Sequence, residues 1–547
     1  MARAALATTF CILAGLAANA HAQDRPTELP LPASAECGPE AMPEPGLQGR
    51  VPAGVPAEGY RCNTELVSHE GTAGGFKVER FVDEAGRQCA YYDTTLLFPT
   101  QAIQQLRDEP TGVAVVDMTD PDNPVRTTTL VTPAMQSPHE SLVLNERRGL
   151  LVAVMGNPAF LPGVVDVYDV NADCRAPVLQ ASAPVGLLGH ESGFAPDGET
   201  FYATSLFNGT VTAVDLTNPR LPTPIGVFEY PSHGFAVSAD GNRGYVAALN
   251  EGLVVVDTSQ VQARSPGAQM PEISRLDWPY RSVPQINIPV TFDGKPHLIE
   301  VDEFAADEDG NYQIEGNGPN VGAARIIDIT DERAPKVISN IRLQVNQPKH
   351  RQQIGGDPGA SSPVQGYAAH YCAVPRPDDP EIVACSFILS GLRVFDIRDP
   401  REPREVAYFV APPAASPVVA ERTNFAMSKP AFDVARKTVW YSDGNSGLYA
   451  VRLTNGAWPE RGNKTRCERR RRFTVRLPRR LRRARVKVDG RRVKVVRRKG
   501  RLRARIDLRG KEPGALVRVK IVGRTRGGKR FVRKRRYRIC DRRSARR

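Results

Sequence analysis

Four of the eight histidines share one local setting. His139 stands in Pro138-His139-Glu140-Ser141, His190 in Gly189-His190-Glu191-Ser192, His233 in Ser232-His233-Gly234 and His370 in Ala369-His370-Tyr371. Each is expected to open the innermost strand of a repeated β unit, which would bring four imidazoles towards one mouth of a central channel. Imidazole is a common ligand of Zn, Cu, Fe and Ni, so such a ring could hold a transition metal. The competing expectation is structural: a repeated unit repeats a histidine that hydrogen-bonds its neighbour. The matching positions in the fifth and seventh units fall at Asn287 or Ile288 and at Ser428 or Lys429, so the set is incomplete. His-Glu-Ser occurs twice, at 139–141 and 190–192. A nucleophilic serine needs its histidine within hydrogen-bond reach, whereas residues two apart on a strand stand about 6–7 Å apart. No Gly-x-Ser-x-Gly elbow is present either, which sets a serine hydrolase aside.

Two further groups of side chains offer chemistry. Asp302, Asp307 and Asp309 lie in an acidic, glycine-containing stretch whose hard oxygens suit calcium. Their spacing does not complete an EF-hand loop, and a solvated hairpin is the plainer expectation. Nine cysteines are present, one of them inside the N-terminal leader. No Cys-x-x-Cys occurs, so disulfides are expected rather than a zinc site. Cys372 and Cys385 face each other across a hairpin, and Cys467 and Cys540 bracket the C-terminal region. The remaining four are assigned as Cys62–Cys89 and Cys37–Cys174, a pairing that spacing leaves open.

The elements that must position these residues are strands. Short β-branched runs recur at Gly112–Asp117, Gly163–Asp169, Gly209–Asp215, Gly252–Asp257, Ala324–Asp328, Gly391–Asp396 and Gly447–Arg452, seven copies in all. Turn residues bound each run, as in Thr119-Asp120-Pro121 and Asp399-Pro400, which marks buried strand rather than helix. A second strand pair lies between copies, clearest at 233–249 with Asp240-Gly241 at its turn. Glycines 163, 209 and 252 stand 46 and 43 residues apart, the period of a four-stranded propeller blade. Residues 59–67 are expected to supply the fourth strand of the last blade and so close the ring. Longer gaps predict inserted loops near 260–285, 304–320 and 345–365.

These strand-plus-turn copies resemble the LVIVD repeat of secreted bacterial proteins, over roughly residues 60–455. The resemblance implies a β-propeller and carries no catalytic motif with it. The expected fold is all-β: a seven-bladed β-propeller over 59–458, followed by a small Arg-rich β-sandwich over 463–547.

The N-terminus predicts the compartment. A basic start, an apolar run over 4–17 and the small-x-small sequence Ala20-His21-Ala22 make residues 1–22 a signal peptide. The run is too short to span a bilayer, and no later stretch is apolar enough. Residues 23–58 are Pro/Ala-rich and read as a linker or irregular cover. The expected location is secreted, extracellular or at the cell envelope.

Charge is divided unevenly along the chain. Residues 461–547 hold 40 Lys or Arg against 5 Asp or Glu, a net +35. The preceding residues hold 34 against 55, a net −21. Alternation at period two, as in Ala484-Arg485-Val486-Lys487-Val488, puts apolar side chains on one face and cations on the other. Arg485, Lys487, Arg503, Arg505, Arg518 and Lys520 are therefore the expected polyanion-binding residues. Sequence-specific nucleic-acid recognition is not expected, because Phe473, Phe531 and Tyr537 are the only aromatics there. The first functional expectation is a binding or scaffold propeller held to an envelope polyanion or protein ligand by its cationic domain. The second is a metal-dependent enzyme, oxidoreductase or hydrolase, using the histidines, with a transition metal or calcium as cofactor.

Overall fold

The computed structural model describes residues 30–547 except 96–110, 157–162, 207, 279–282, 304, 307–319, 359–365, 417–421, 461–465, 469–470, 479–480, 499, 512–514, 526–529 and 540–547. Among the described residues, seven antiparallel sheets form the propeller, six of four strands and one of five. Blade 1 is Val78–Val82, Gln88–Asp93, Val113–Asp117 and Val125–Leu130; blade 4 is Gly234–Val237, Arg243–Ala247, Leu253–Asp257 and Glu272–Leu276. The repeat is the third strand of each blade, and Gly391–Asp396 takes that place in blade 6.

Local chemistry explains the repeat. The third strand is covered on both faces by neighbouring blades, so Leu253, Val254, Val255 and Val256 are all buried and the run does not alternate. Its terminal Asp shapes the following turn. Asp117 accepts the Thr119 N–H at 2.9 Å, Asp215 that of Thr217 at 2.8 Å, Asp257 that of Ser259 at 2.8 Å and Asp396 that of Arg398 at 3.0 Å. The leading Gly at 391 has φ +80°, and a Cβ there would meet the Phe409 carbonyl oxygen at 2.5 Å.

Two segments from the N-terminal side close the ring. Thr64–Glu70 pairs with Gly447–Leu453 as the outer strand of blade 7, so the ring is closed by the N-terminal side as expected, but by 64–70 and not 59–67. Tyr60–Cys62 adds a fifth strand to blade 6. Residues 30–59 run as an irregular strap over blades 5 and 6. Arg50 binds Asp357 through two hydrogen bonds at 2.9 and 3.0 Å, and the Ser390 hydroxyl donates to the Gly49 carbonyl at 2.7 Å. No helix among the described residues is long and apolar enough to cross a membrane.

The C-terminal strands form two sheets. One has the order Arg466–Glu468, Arg530–Ile539, Leu516–Thr525, Leu481–Val488, Arg491–Val493; the other Arg472–Arg476, Arg501–Asp507, Val495–Arg498. Their shared core includes Val475, Leu477, Val486, Ile506, Val519 and Ile521. Arg485, Lys487, Arg505, Arg518 and Lys520 are exposed and Arg503 is half-buried, which is the alternation expected.

Three disulfides are present among the described residues. Cys372–Cys385 forms across its hairpin as expected, with the two residues directly paired. The other pairing is corrected: the bonds are Cys37–Cys62 and Cys89–Cys174, not Cys62–Cys89 and Cys37–Cys174. Cys62 faces the strap, whereas Cys89 lies in blade 1 beside the turn that follows the third strand of blade 2. Cys540 lies outside the described residues, so the expected Cys467–Cys540 bond does too; the register places Cys467 opposite Arg538.

Candidate metal centre

Strand connectivity decides which face carries the site. Connections from a blade's second to third strand, and from each blade to the next, run to the face where inner strands begin. The strand ends at Asp93 and Val113, Glu303 and Ala324, Ile341 and Ala369, and Val410 and Ala431 all lie at that face. The histidines begin or immediately precede inner strands, so they lie at the same end.

Three of the four histidines converge. His190, His233 and His370 are 4%, 1% and 0% exposed, and Glu140 and Glu303 are each 3% exposed. His190 Nε2 stands 3.2 Å from Glu140 Oε2, and His370 Nε2 stands 3.2 Å from Glu140 Oε1. His233 Nε2 is 3.4 Å from Glu303 Oε1, and His370 Nε2 is 2.9 Å from Glu303 Oε2. The rings of His190 and His233 stack at 4.5 Å between centroids. His139 is in neither group of converging ligand atoms. It is half-buried and packs beside His190 at 4.8 Å and against the edge of Phe76.

The backbone fixes the aim of two imidazoles. His233 Nδ1 lies 2.8 Å from the Pro284 carbonyl of the next blade, and His370 Nδ1 lies 2.7 Å from the Met427 carbonyl. A carbonyl can only accept, so each Nδ1 carries the proton and each Nε2 is turned to the carboxylates. This is the inter-blade hydrogen bond of the structural expectation, and it also points the ring at a shared site. The same two contacts correct the register of the incomplete set. They place Gln285, not Asn287 or Ile288, at the histidine position of blade 5, and Ser428 at that of blade 7.

Glu140 owes its place to an unusual turn. His139 and Glu140 have φ of 40° and 76°, left-handed values that non-glycine residues seldom adopt in succession. The turn delays the inner strand of blade 2 until Val143, so His139 does not open a strand. Ser141 holds the turn: its hydroxyl lies 2.6 Å from the Pro138 carbonyl and 2.7 Å from the Val154 carbonyl, donating its one proton between them, and accepts the Val154 N–H at 2.9 Å. Ser192 likewise bonds the His190 carbonyl at 3.1 Å. Both serines are therefore engaged with backbone and not poised on an imidazole.

Further buried polar side chains surround the five. Gln285 Nε2 donates to Glu140 Oε2 and, at 2.8 Å, to the Tyr371 hydroxyl. That hydroxyl donates to Glu191 at 2.5 Å, and Glu191 is ion-paired with buried Lys77. The Lys77 ammonium also sits 4.4 Å from the Tyr371 ring centroid.

Electrostatics split the groups. Burial pushes the His190 imidazole well below its usual value, against the pull of Glu140. Burial also works against charging His370, but Glu140 and Glu303 prevail and push it up to about 10. Burial would raise Glu140, yet His190 and His370 hold it well below the usual carboxylate range. Burial, then Glu140 and Glu191, keep Tyr371 well above its usual value.

The calcium expectation fares differently. Asp302 is a buried strand residue of blade 5 whose carboxylate is held by Arg325, with Nη1 at 3.2 Å, and Glu300 shares the same guanidinium at 2.5 Å. Asp302 thus balances an arginine instead of lining a solvent-facing turn. Asp307 and Asp309 lie outside the described residues. Glu303, next in sequence to Asp302, joins the histidines.

Glu140, Glu303, Gln285, Lys77 and Tyr371 were not singled out from sequence. The doubled His-Glu at 139–140 and 190–191 was the one available signal for a carboxylate beside the imidazoles.

No protein-family model and no curated protein matches the chain. Among solved structures it is similar to the periplasmic gluconolactonase PpgL of Pseudomonas aeruginosa, at 14% identity over 67% of this chain and 96% of that one, TM-score 0.42. It is similar to the C-terminal WD40 domain of Sif2 at 9% identity over 71% and 98%, TM-score 0.41. It is also similar to an oligogalacturonate lyase in complex with manganese, at 11% identity over 72% and 100%, TM-score 0.41. These likenesses concern the fold.

Proposed function

We propose that this is a metal-dependent enzyme, a hydrolase or an oxidoreductase, with its centre at the loop-bearing end of the propeller axis. One observation carries the reading. Neither ring nitrogen of His190 has a hydrogen-bond partner among the described residues, and Nε2 of His233 and of His370 faces only carboxylate oxygens, 2.9–3.4 Å away. These nitrogen–oxygen distances are short. They match the edges of a coordination shell: ligands about 2.1 Å from an ion stand about 3.0 Å apart at right angles and about 3.4 Å apart at tetrahedral angles. Imidazole with carboxylate suits first-row divalent ions such as Zn, Fe and Mn better than calcium. Among the described residues, Glu140 with His190 and His233, and Glu140 with Glu303 and His370, each bring their ligand atoms within 4.8 Å of one another.

The scaffold expectation becomes secondary. Its supporting feature, the exposed cations of the C-terminal sandwich, is compatible with an enzyme. In this reading an LVIVD-type propeller is exported and retained at an envelope polyanion by residues 463–547.

Purified full-length protein is expected to keep a first-row transition metal through dialysis, measured by inductively coupled plasma mass spectrometry. His190→Ala and His233→Ala should each lower that content at least tenfold while the far-ultraviolet circular dichroism stays unchanged. A wild-type chain that takes up no transition metal would sink the proposal.

A further inference from the structure

We infer that the centre takes two divalent ions bridged by Glu140, an inference that rests on the metal reading above. Each oxygen of Glu140 serves a different partner: Oε2 faces His190 Nε2 at 3.2 Å and Oε1 faces His370 Nε2 at 3.2 Å. Glu303 repeats the arrangement, with Oε1 at 3.4 Å from His233 Nε2 and Oε2 at 2.9 Å from His370 Nε2. Both carboxylates therefore straddle the gap between the stacked pair His190 and His233 and the separate His370.

Distance decides between one ion and two. The five side chains fall into two overlapping triads that share Glu140, and among the described residues they do not merge into one group with all ligand atoms within 4.8 Å. Ligands of a single ion at about 2.1 Å cannot lie more than about 4.2 Å apart, even when opposite each other. One ion therefore cannot gather all five as they stand. Two ions about 3.5–4 Å apart can, because a carboxylate bridges such a pair with one oxygen on each. His190 and His233 would hold one ion and His370 the other.

Charge narrows what the pair would bind. Two carboxylates offset half the charge of two divalent ions. Glu191 adds nothing further, since Lys77 neutralises it. The remaining positive charge favours an oxyanion, so the substrate class is an oxyacid ester: water's oxygen bonds the acid centre, the ester bond breaks, and the leaving oxygen departs with a proton from that water. Two-ion centres of this kind activate water between the metals and stabilise the leaving oxygen.

The test uses the full-length protein, stripped with chelator and titrated with Mn(II). Two ions per chain are expected, with an exchange-coupled electron paramagnetic resonance spectrum. His370→Ala should leave one ion per chain and an uncoupled six-line signal, with its fold checked by thermal unfolding. One ion per wild-type chain, or two without coupling, would overturn the bridged pair and leave the metal reading standing. No bound ion would overturn both. The wild-type measurement decides even if the variant does not fold.

Discussion

Arg393 sits in the repeat strand of blade 6 with its side chain fully buried. Its guanidinium bonds Glu405 at 3.1 Å and Glu44 of the strap at 3.1 Å, and covers the Tyr408 ring. Arg393→Ala would leave two buried carboxylates uncompensated. A loss of about 3–5 kcal/mol is expected, read from the guanidinium denaturation midpoint. Asp443 presents the opposite case. Burial pushes its carboxyl up to about 6, against the N–H groups of Phe425 and Asn445 that it accepts. Below about pH 4 both folded and unfolded states hold the proton and the group is silent. Between about 4 and 6 the folded state binds more protons, so this contribution to stability falls as pH rises. The cost of Asp443→Asn should therefore be smaller at pH 7 than at pH 4, by up to about 3 kcal/mol. An unchanged cost across that range would contradict the assignment. At this scale the sequence showed the imidazoles but not their partners. Histidine repeats at blade period and can be counted. Glu140 reaches the centre through two left-handed residues, and Glu303 sits at the far end of a second strand, so neither position follows from spacing.

The strands were legible because their signals are local. β-branched runs, a leading glycine and an Asp that caps its own turn all act within a few residues. Ring closure by an N-terminal strand was also legible, though not its bounds, because an unpaired third strand in blade 7 needed a partner. Disulfide pairing between distant segments was not. It depends on which blades become neighbours: Cys89 and Cys174 are 85 residues apart yet join blade 1 to the turn after the third strand of blade 2. A bond closing so long a loop restricts the unfolded chain most. Replacing both cysteines by serine should cost about 2–4 kcal/mol, measured by urea denaturation. The Cys37–Cys62 pair instead ties the strap to the fifth strand of blade 6. Its loss should leave the global midpoint nearly unchanged and make residues 30–59 cleavable under native proteolysis.

At the scale of the whole molecule, charge separates the two parts. The exposed Lys487 and Lys520 lie directly opposite each other on neighbouring strands, an arrangement that costs stability unless an anion intervenes. Full-length protein should bind an anionic polymer such as polyphosphate with an affinity that falls steeply between low and high salt. A chain ended at residue 460 should lose that binding while keeping its metal. Salt-independent binding would reject an electrostatic role for the sandwich.

The seam in blade 7 also sets a timetable. Thr64–Glu70 is made about 380 residues before Gly447–Leu453, the strand it must pair with. At roughly 5–20 residues per second, it waits on the order of 20–80 s with an open edge. Every blade between them is synthesised in that interval, including those that supply Glu140, His190, His233, Glu303 and His370. The metal ligands thus gain their final spacing only when the last blade arrives, and a chain released early would be both an open sheet and an empty centre.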